Sequence, residues 1–539
     1  MKRHRALQWG SVALLAAGVA AFLRGQQPPA SDRKALEEWF SPMPVLYLQV
    51  KDAGQLIDRY RAGAQARRYH ESRNFEDFQK SKLYNKLEGR IRQMEEVAGF
   101  GITLDNLRSF LGKESAVWLF DIQELKFVAA TSIPESRFAE SVLAKVSSRF
   151  EERRSGTFSY SVKEGDDGAV TLAFCRFGNT LVFGNDVPSF LSIAERVRTR
   201  GQFRDEAQAV FRRAFDPDFS CGDATLFFTK DALRNTYFRT YWVFRNTADL
   251  GWIDAGLADF AETKEGWTER RWFAADPAGS VPLSAGKDLS GIASFFPEKP
   301  YYARLSAQHD PDVTSALVST ALFSNPCLAA ADISSLSSLL APGTPSAVAV
   351  GLEGWFQENL FLRWSRLCVV EMETPSSLDI QKIQQFLAGC VRKRLVAGGG
   401  DSLIPSGVSS HSKTPVWYIE PPCAPRSGAA ACLAGRYLIL SRDRTTVEKA
   451  LACGERPLRA SQATSVFITA DIDRIRQDCL KTVGFLASGS GWESEDSPSF
   501  FSENLPSLAE WASSVKRMTV SRQVHSGLIC ETVSYLRAP

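Results

Sequence analysis

The amino-acid sequence predicts an α+β protein with two tandem, pseudo-equivalent lobes. Each lobe is predicted to be a mostly antiparallel sheet with helices packed on one face, and an N-terminal membrane-spanning helix precedes both lobes. The main observation is an internal repeat, because FGNTLVFGNDVPSFLSIAERV around Gly178 returns as AGRYLILSRDRTTVEKALACG around Gly435. A second matched pair follows in the same order, with DATLFFTKDALRN beginning at Asp223 and TSVFITADIDRI at Thr464.

The length of the chain agrees with a duplication. A single hydrophobic core stops growing at roughly 250–300 residues, and this chain has 539. We therefore predict an anchor and linker over residues 1–31, a first α+β repeat over 40–276 and a second over 290–539. The boundary between the repeats falls in ADPAGSVPLSAGKDLSG, whose Pro, Gly and Ser content is typical of a connecting segment.

The first residues carry the pattern of a membrane-targeting segment. The basic run KRHR precedes an uncharged stretch over residues 6–23, and its 18 residues reach the lower limit for crossing a bilayer. The basic end stays in the cytoplasm. We therefore expect a single-pass protein of the bacterial inner membrane whose body lies in the periplasm or extracytoplasmic space. A signal peptide cleaved after Ala20 or Ala21 is the alternative.

The first repeat opens with strand and helix signals. PVLYLQV (residues 44–50) is β-branched and aromatic, which predicts a strand, and Asp52 is placed to begin a helix. Apolar residues at three- and four-residue spacing predict one long amphipathic helix over residues 75–98. Gly99 is expected to end this helix, and Thr103 to cap the next short one.

The remaining elements of the repeat alternate between strands and helices. SAVWLFD and KFVAATS predict two strands, Pro134 opens a helix, and FSYSVK, AVTLAFC and TLVFG predict three more strands. Because short turns join consecutive strands, we expect an antiparallel sheet. In the second repeat SAVAVGL, from Ser346, matches SAVWLFD, from Ser115, and the long helix is missing.

Composition and motifs exclude several classes of protein. Hydrophobic residues make up 44% of the chain and charged residues 23%, which excludes a disordered chain. The net charge is small (64 − 61 = +3), so we expect no nucleic-acid partner. The sequence contains no HExxH, CxxC, P-loop or GxSxG pattern. We therefore expect no metal, no cofactor and no common enzyme activity.

An aromatic cluster near the end of the first repeat is the first candidate site. Tyr237, Tyr241, Trp242 and Trp267 lie close together in the sequence with other aromatic residues. One interpretation is a groove that binds a lipid, a glycan or a helix of a partner. The other is a seam of the core, where a closing helix packs on the sheet.

A pair of acidic residues at matched positions is the second candidate site. Asp186 and Asp443 occupy the same place in the two repeats, each between a strand and a helix. Two carboxylates that face one cleft could share a proton or hold a cation. The alternative is that each carboxylate caps the helix that follows it.

Cysteines supply a third prediction. Cys423 and Cys432 flank a turn rich in Pro and Gly, and an exported protein could join them in a disulfide. The remaining cysteines that lie in apolar, strand-like runs are expected to be ordinary core residues.

The ordered motifs resemble a known family. Phe75 and Phe78 precede the segment from Gly101 to Leu111, which continues into Gly112, Glu114, Ala116 and Val117, and GRYLILSRDRTTVEKAL follows much later. This order resembles that of a bacterial family of membrane-anchored extracytoplasmic proteins of unknown function. The resemblance implies a location in the cell envelope, and it implies no particular reaction.

The leading functional hypothesis is therefore a non-enzymatic body that binds a hydrophobic ligand, or that serves as a scaffold for a protein partner, held at the membrane by residues 6–23. The alternative hypothesis is an envelope hydrolase that uses Asp186 and Asp443 in a cleft between the lobes. As a scaffold, the protein would present its predicted long helix, residues 75–98, as a docking surface.

Overall fold

The structure is a computed structural model that divides into two compact units. The first unit comprises Met1–Leu283 with His525–Cys530, and the second comprises Ser284–Val524 with Glu531–Pro539. The structure describes residues 36, 38–234 (except 157, 166, 167, 169, 201 and 202), 253–275, 286–323, 330–358, 361–395, 404–453 (except 412 and 423), 457–460, 464–488, 503–525 and 528–538.

The first unit contains an antiparallel sheet whose first strand lies in its middle. The strands are β1 (Leu46–Asp52), β2 (Lys113–Asp121), β3 (Lys126–Ser132), β4 (Glu151–Ser155), β5 (Phe158–Glu164), β6 (Thr171–Phe177), β7 (Thr180–Gly184), β8 (Ala224–Thr229), β9 (Ile253–Glu262) and β10 (Gly266–Ala275). Their spatial order is β10-β9-β8-β1-β2-β3-β7-β6-β5-β4, and every one of these neighbours is antiparallel.

The second unit contains strands paired in a corresponding order. They are β11 (Tyr302–Ala307), β12 (Pro345–Glu358), β13 (Phe361–Met372), β14 (Ser406–His411), β15 (Thr414–Ile419), β16 (Ala429–Ala434), β17 (Tyr437–Ser441), β18 (Val466–Asp471), β19 (Val515–His525) and β20 (Leu528–Arg537), most of which belongs to this unit. Their order is β20-β19-β18-β11-β12-β13-β17-β16-β15-β14. The prediction of an α+β protein with antiparallel sheet is confirmed.

Helices fill the connections between these strands. In the first unit they are α1 (Ala53–Ala62), α2 (Ala64–His70), α3 (Arg73–Gln79), α4 (Lys82–Ala98), α5 (Leu104–Phe110), α6 (Glu135–Glu140), α7 (Val142–Val146), α8 (Val187–Arg200), α9 (Phe203–Ala214) and α10 (Lys230–Arg234). In the second unit they are α11 (Ser290–Ala293), α12 (Pro311–Phe323), α13 (Ala330–Leu340), α14 (Ile380–Leu395), α15 (Arg444–Ala452), α16 (Ile472–Ser488) and α17 (Leu505–Trp511).

The prediction that helices pack on one face of each sheet is wrong, because helices cover both faces. Adjacent residues of β6 belong to different clusters of the core: Phe174 packs with residues of α5 and α7, and Cys175 packs with residues of α8 and α9. Ala430 and Ala431 of β16 divide between two clusters in the same way. Strands β3, β16 and β17 each contain four consecutive buried residues, as expected where both faces of a sheet are covered.

The predicted long helix over residues 75–98 is also corrected, since it is two helices, α3 and α4. Ser81 lies at the break, where its Oγ accepts a hydrogen bond from the backbone N of Tyr84 at 3.1 Å. Serine is a favoured N-cap, so the chain begins a new helix there. The predicted ends are confirmed: Gly99 takes a left-handed conformation (φ +76°), and Thr103 caps α5.

No helix in the part of the chain that the structure describes is both long enough and apolar enough to cross a membrane. The predicted anchor over residues 6–23 lies outside that part.

Candidate functional site

The aromatic residues selected from the sequence are only partly described. Tyr237, Tyr241 and Trp242 lie outside the described residues. Trp267 lies on β10, where it is half-buried and pairs with Glu262 of β9. A groove formed by these four residues therefore stays a prediction.

The two matched carboxylates each lie at the start of a helix. Oδ2 of Asp186 accepts a hydrogen bond from the backbone N of Ser189 at 3.3 Å, at the start of α8. Oδ1 of Asp443 accepts one from the backbone N of Thr446 at 2.9 Å, at the start of α15. These contacts are those of N-capping residues. Shared acid–base chemistry between the two carboxylates stays a prediction.

The structure describes only one cysteine of the predicted disulfide. Cys432 is buried in β16, where it forms no disulfide with another described cysteine, and burial raises the pKa of its thiol to about 12. Cys423 lies outside the described residues, so the pairing of Cys423 with Cys432 stays a prediction.

A cavity in the second unit is the strongest candidate site that the described residues form. Its volume is about 350 Å³, within the size range of small-molecule pockets. Its apolar lining consists of Phe295, Phe296, Pro297, Pro300, Gly351, Leu352, Leu367 and Ala450. Its polar lining consists of Tyr301, Glu353, Lys449, Cys453 and Arg474. The cavity is thus an apolar chamber with charged groups on part of its wall.

A bulge in β12 places Glu353 on this wall. Leu352 pairs with Arg366 and Trp355 pairs with Trp364, so Glu353 and Gly354 together oppose a single residue of β13. Gly354 has φ +111°, a backbone conformation that L residues rarely adopt. Bulges of this kind redirect side chains and are common beside functional sites.

Two cations lie beside Glu353, one near its carboxylate and the other near its backbone oxygen. Nζ of Lys449, from α15, lies 3.4 Å from Oε2 of Glu353. Arg474, from the first turn of α16, donates from Nη2 to the backbone oxygen of Glu353 at 3.5 Å. The Arg474 guanidinium also lies over the ring of Tyr301, 5.5 Å from its centroid. The charged part of the wall therefore carries two positive groups and one carboxylate.

Burial raises the pKa of two groups in the polar lining, Glu353 and Cys453. Desolvation raises the pKa of Glu353, and the nearby Lys449 opposes this shift without cancelling it. Desolvation, followed by the nearby Glu353 charge, raises the pKa of Cys453 as well. Cys453 therefore lacks the lowered pKa of a catalytic nucleophilic cysteine.

The matched segments of the first repeat carry larger side chains at two positions that line this cavity in the second. With the two repeats matched as above, Gly351 stands where the first repeat has Phe120, and Ala450 stands where it has Ile193. The space beside Ile193 has a volume of only about 20 Å³, and Trp39, Trp118 and Phe203 also line it. The Phe296 ring takes the space beside Gly351, since a Cβ there would lie 2.4 Å from Cε1 of Phe296, so Ala450 is the smaller residue that accompanies the larger cavity of the second unit.

Sequence reasoning did not find this cavity, although the signal was present. The matched segments place Ala450 opposite Ile193, and this difference reduces the side-chain volume on the cavity wall. Glu353, Lys449 and Arg474 belong to no motif, and the tertiary structure alone brings them together.

Comparisons with protein-family models, with curated proteins and with solved structures found no match. Within the described residues, no group of three or more His, Cys, Asp or Glu side chains could hold a metal ion.

Proposed function

We propose that the second unit binds a small hydrophobic molecule in the cavity beside Glu353, without catalysing a reaction. In this proposal the protein is an extracytoplasmic one, anchored in the bacterial inner membrane by residues 6–23. The observation that carries the proposal is the cavity of about 350 Å³ lined mainly by apolar side chains. Small-molecule sites are concave spaces of about 300–1,000 Å³ lined mostly by apolar side chains with a few polar groups, and this pocket has that size and that lining.

The shared order of strands supports the interpretation that the units are tandem copies of one domain. Two copies of a domain can diverge, so that one keeps a filled core while the other opens a binding site. The replacement of Ile193 by Ala450 in the cavity wall is consistent with this divergence. The resemblance to membrane-anchored envelope proteins agrees with the proposed location and adds no activity.

The alternative of an envelope hydrolase gains no support from the described contacts. Both oxygens of Asp443 accept hydrogen bonds from Thr446, one from its backbone N and one from its hydroxyl, each at 2.9 Å. Oδ2 of Asp186 accepts a hydrogen bond from the backbone N of Ser189, and Oδ1 of Asp186 lies 3.8 Å from Nζ of Lys126. These contacts therefore favour the binding function over the hydrolase.

The test is a fluorescence titration of the whole chain with N-phenyl-1-naphthylamine, an uncharged apolar probe. Ala450→Ile, which copies Ile193, adds three carbon atoms to the cavity wall and is expected to weaken binding at least tenfold. Ala452→Ile is the matched control, because Ala452 is exposed on the same helix and does not line the cavity. Equal binding by the wild type and Ala450→Ile would refute the proposed site.

A second measurement needs no variant and so does not depend on the folding of Ala450→Ile. The probe is expected to slow the alkylation of Cys453, which lines the cavity. The alkylation of Cys479 should not change, since it lies on α16 away from the lining and is partly exposed like Cys453. Peptide mapping by mass spectrometry measures both rates. Unchanged alkylation of Cys453 at a saturating probe concentration would contradict the proposal.

A further inference from the structure

We infer that the molecule bound in this cavity is an amphipathic organic acid, whose anionic group replaces the Glu353 carboxylate beside Lys449, so that binding takes up one proton. The inference rests on the proposed function, and it adds the chemical class of the ligand and the control of its binding by pH.

Polar groups are distributed unevenly around the cavity. Phe295, Phe296 and Leu367 form apolar wall, whereas Lys449 and Arg474 contribute cations to the polar part. A ligand that satisfies both parts needs an apolar body and one charged end. The formal charges of the lining sum to about +1, because it contains two cations, Lys449 and Arg474, and one carboxylate, Glu353, and this favours an anionic end.

A second observation is that the Lys449 ammonium is accessible to a ligand. The Lys449 side chain is 63% exposed, and its contact with Glu353 spans 3.4 Å. Ion pairs with this degree of exposure contribute little free energy, about 0–1 kcal/mol. A ligand anion held by the apolar chamber can therefore compete with Glu353 for Lys449.

A third observation is that Glu353 keeps a proton at a higher pH than an ordinary glutamate, because its pKa is raised. Burial raises its pKa, and the charges acting on it are those of Lys449, Asp443 and Arg426. Asp443 raises this pKa further, while Lys449 and Arg426 lower it. A ligand anion beside Glu353 adds a like charge and removes part of the effect of Lys449, and both changes favour the protonated carboxyl.

The exchange is balanced without any further reactant. In the free protein, the ionised Glu353 faces the Lys449 ammonium. In the complex, the ligand anion faces that ammonium and Glu353 carries a proton taken from solvent. No covalent bond other than this O–H bond forms or breaks. The affinity for the anion must therefore fall as pH rises, with a limit of tenfold per pH unit where one whole proton is taken up.

The experiment compares two probes that differ by a single charged group. 8-Anilinonaphthalene-1-sulfonate has the ring system of N-phenyl-1-naphthylamine plus one sulfonate, which stays ionised over the whole accessible pH range. We expect the sulfonate probe to bind more tightly at pH 5 than at pH 8, and the uncharged probe to bind equally at both. Equal pH profiles for the two probes would overturn the inference.

Variants identify the residues that carry the effect. Lys449→Met should weaken the sulfonate probe about fivefold, a loss typical of one partly exposed ion pair, and should leave the uncharged probe unchanged. Lys382→Met is the matched control: Lys382 is 67% exposed and lies 3.2 Å from Asp379, outside the cavity lining. Glu353→Gln should strengthen the binding of the sulfonate probe at pH 8 and abolish its dependence on pH.

The outcomes separate this inference from the proposed function. If neither probe binds, both the site and the inference fail. If the uncharged probe binds and is lost in Ala450→Ile, while the sulfonate probe shows no preference and no pH dependence, then the cavity binds neutral ligands and only the inference fails. A pH dependence that persists in Glu353→Gln would also refute the role assigned to Glu353.

Discussion

Asp443 and Thr446 are joined by two hydrogen bonds that close the first turn of α15. The backbone N of Thr446 donates to Oδ1 of Asp443, and the Thr446 hydroxyl donates to Oδ2, both at 2.9 Å. Asp443 is only 3% exposed. The carboxylate therefore satisfies a buried helix end, and its place between a strand and a helix follows from this structural role.

Removing this cap is expected to destabilise the second unit. Asp443→Ala should lower the free energy of unfolding by about 1–2 kcal/mol, because it leaves the backbone N of Thr446 without its acceptor. Asp443→Asn keeps a capping oxygen and should retain most of the stability. Urea denaturation of the whole chain measures both variants. A loss in Asp443→Asn as large as in Asp443→Ala would show that the negative charge matters more than the cap.

Gly351 is expected to tolerate no side chain. A Cβ at this position would lie 2.4 Å from Cε1 of Phe296, so Gly351→Ala should cost about 1–3 kcal/mol through overpacking. Gly389→Ala is the matched control, because a Cβ at Gly389, within α14, meets nothing within 4 Å. That variant should be stabilising by about 0.5–1 kcal/mol. Thermal unfolding distinguishes the two, and equal effects would contradict the packing argument.

The thiol of Cys432 is expected to be unreactive in the native protein. Burial raises its pKa to about 12 and excludes reagents, and the same holds for Cys368. Unfolding without a reductant should expose Cys368 to alkylation by N-ethylmaleimide. If Cys432 pairs with Cys423 as the sequence predicts, Cys432 will stay unmodified until a reductant is added. Alkylation of Cys432 at the same rate as Cys368 would exclude the disulfide.

Glu353 gives the stability of the second unit a dependence on pH. Its pKa is raised in the folded chain, so the folded state binds the proton more tightly than the unfolded state. The free energy of unfolding therefore falls as pH rises from the unfolded pKa to the folded one. The Glu353→Gln variant has no carboxyl to titrate at this position, so its free energy of unfolding should not show this fall. Its stability relative to the wild type should therefore increase as pH rises between the two pKa values. A difference that stays constant across pH would contradict the raised pKa.

Local signals predicted the ends of several elements correctly. Asp52 caps α1 through the backbone N of Gln55 at 2.8 Å, and Thr103 caps α5 in the same way. Gly99 ends α4 in a left-handed conformation. These features depend on the chemistry of a few consecutive residues, which the sequence shows directly.

Other features were missed because they depend on competing or distant interactions. Ser81 divides the predicted helix over residues 75–98, since its side chain caps a new helix inside an otherwise continuous apolar pattern. The second layer of helices on each sheet was missed because an apolar strand shows that it is buried, without showing what covers it. Phe174 and Cys175 are consecutive apolar residues of one predicted strand, and only the structure assigns them to opposite faces of the sheet.

The sequence by itself determined that the chain is an α+β protein. It also placed strands, caps and turns near their observed positions, because the spacing of apolar residues and the chemistry of helix caps are local properties. The tertiary structure alone decided where a binding cavity could form. Phe296, Glu353, Ala450 and Arg474 come from four separate parts of the chain, and they line one space only after the sheet and its helices have packed. The physical reason is that an unfilled volume depends on the sizes of side chains that meet from distant elements, and no short stretch of sequence contains that information.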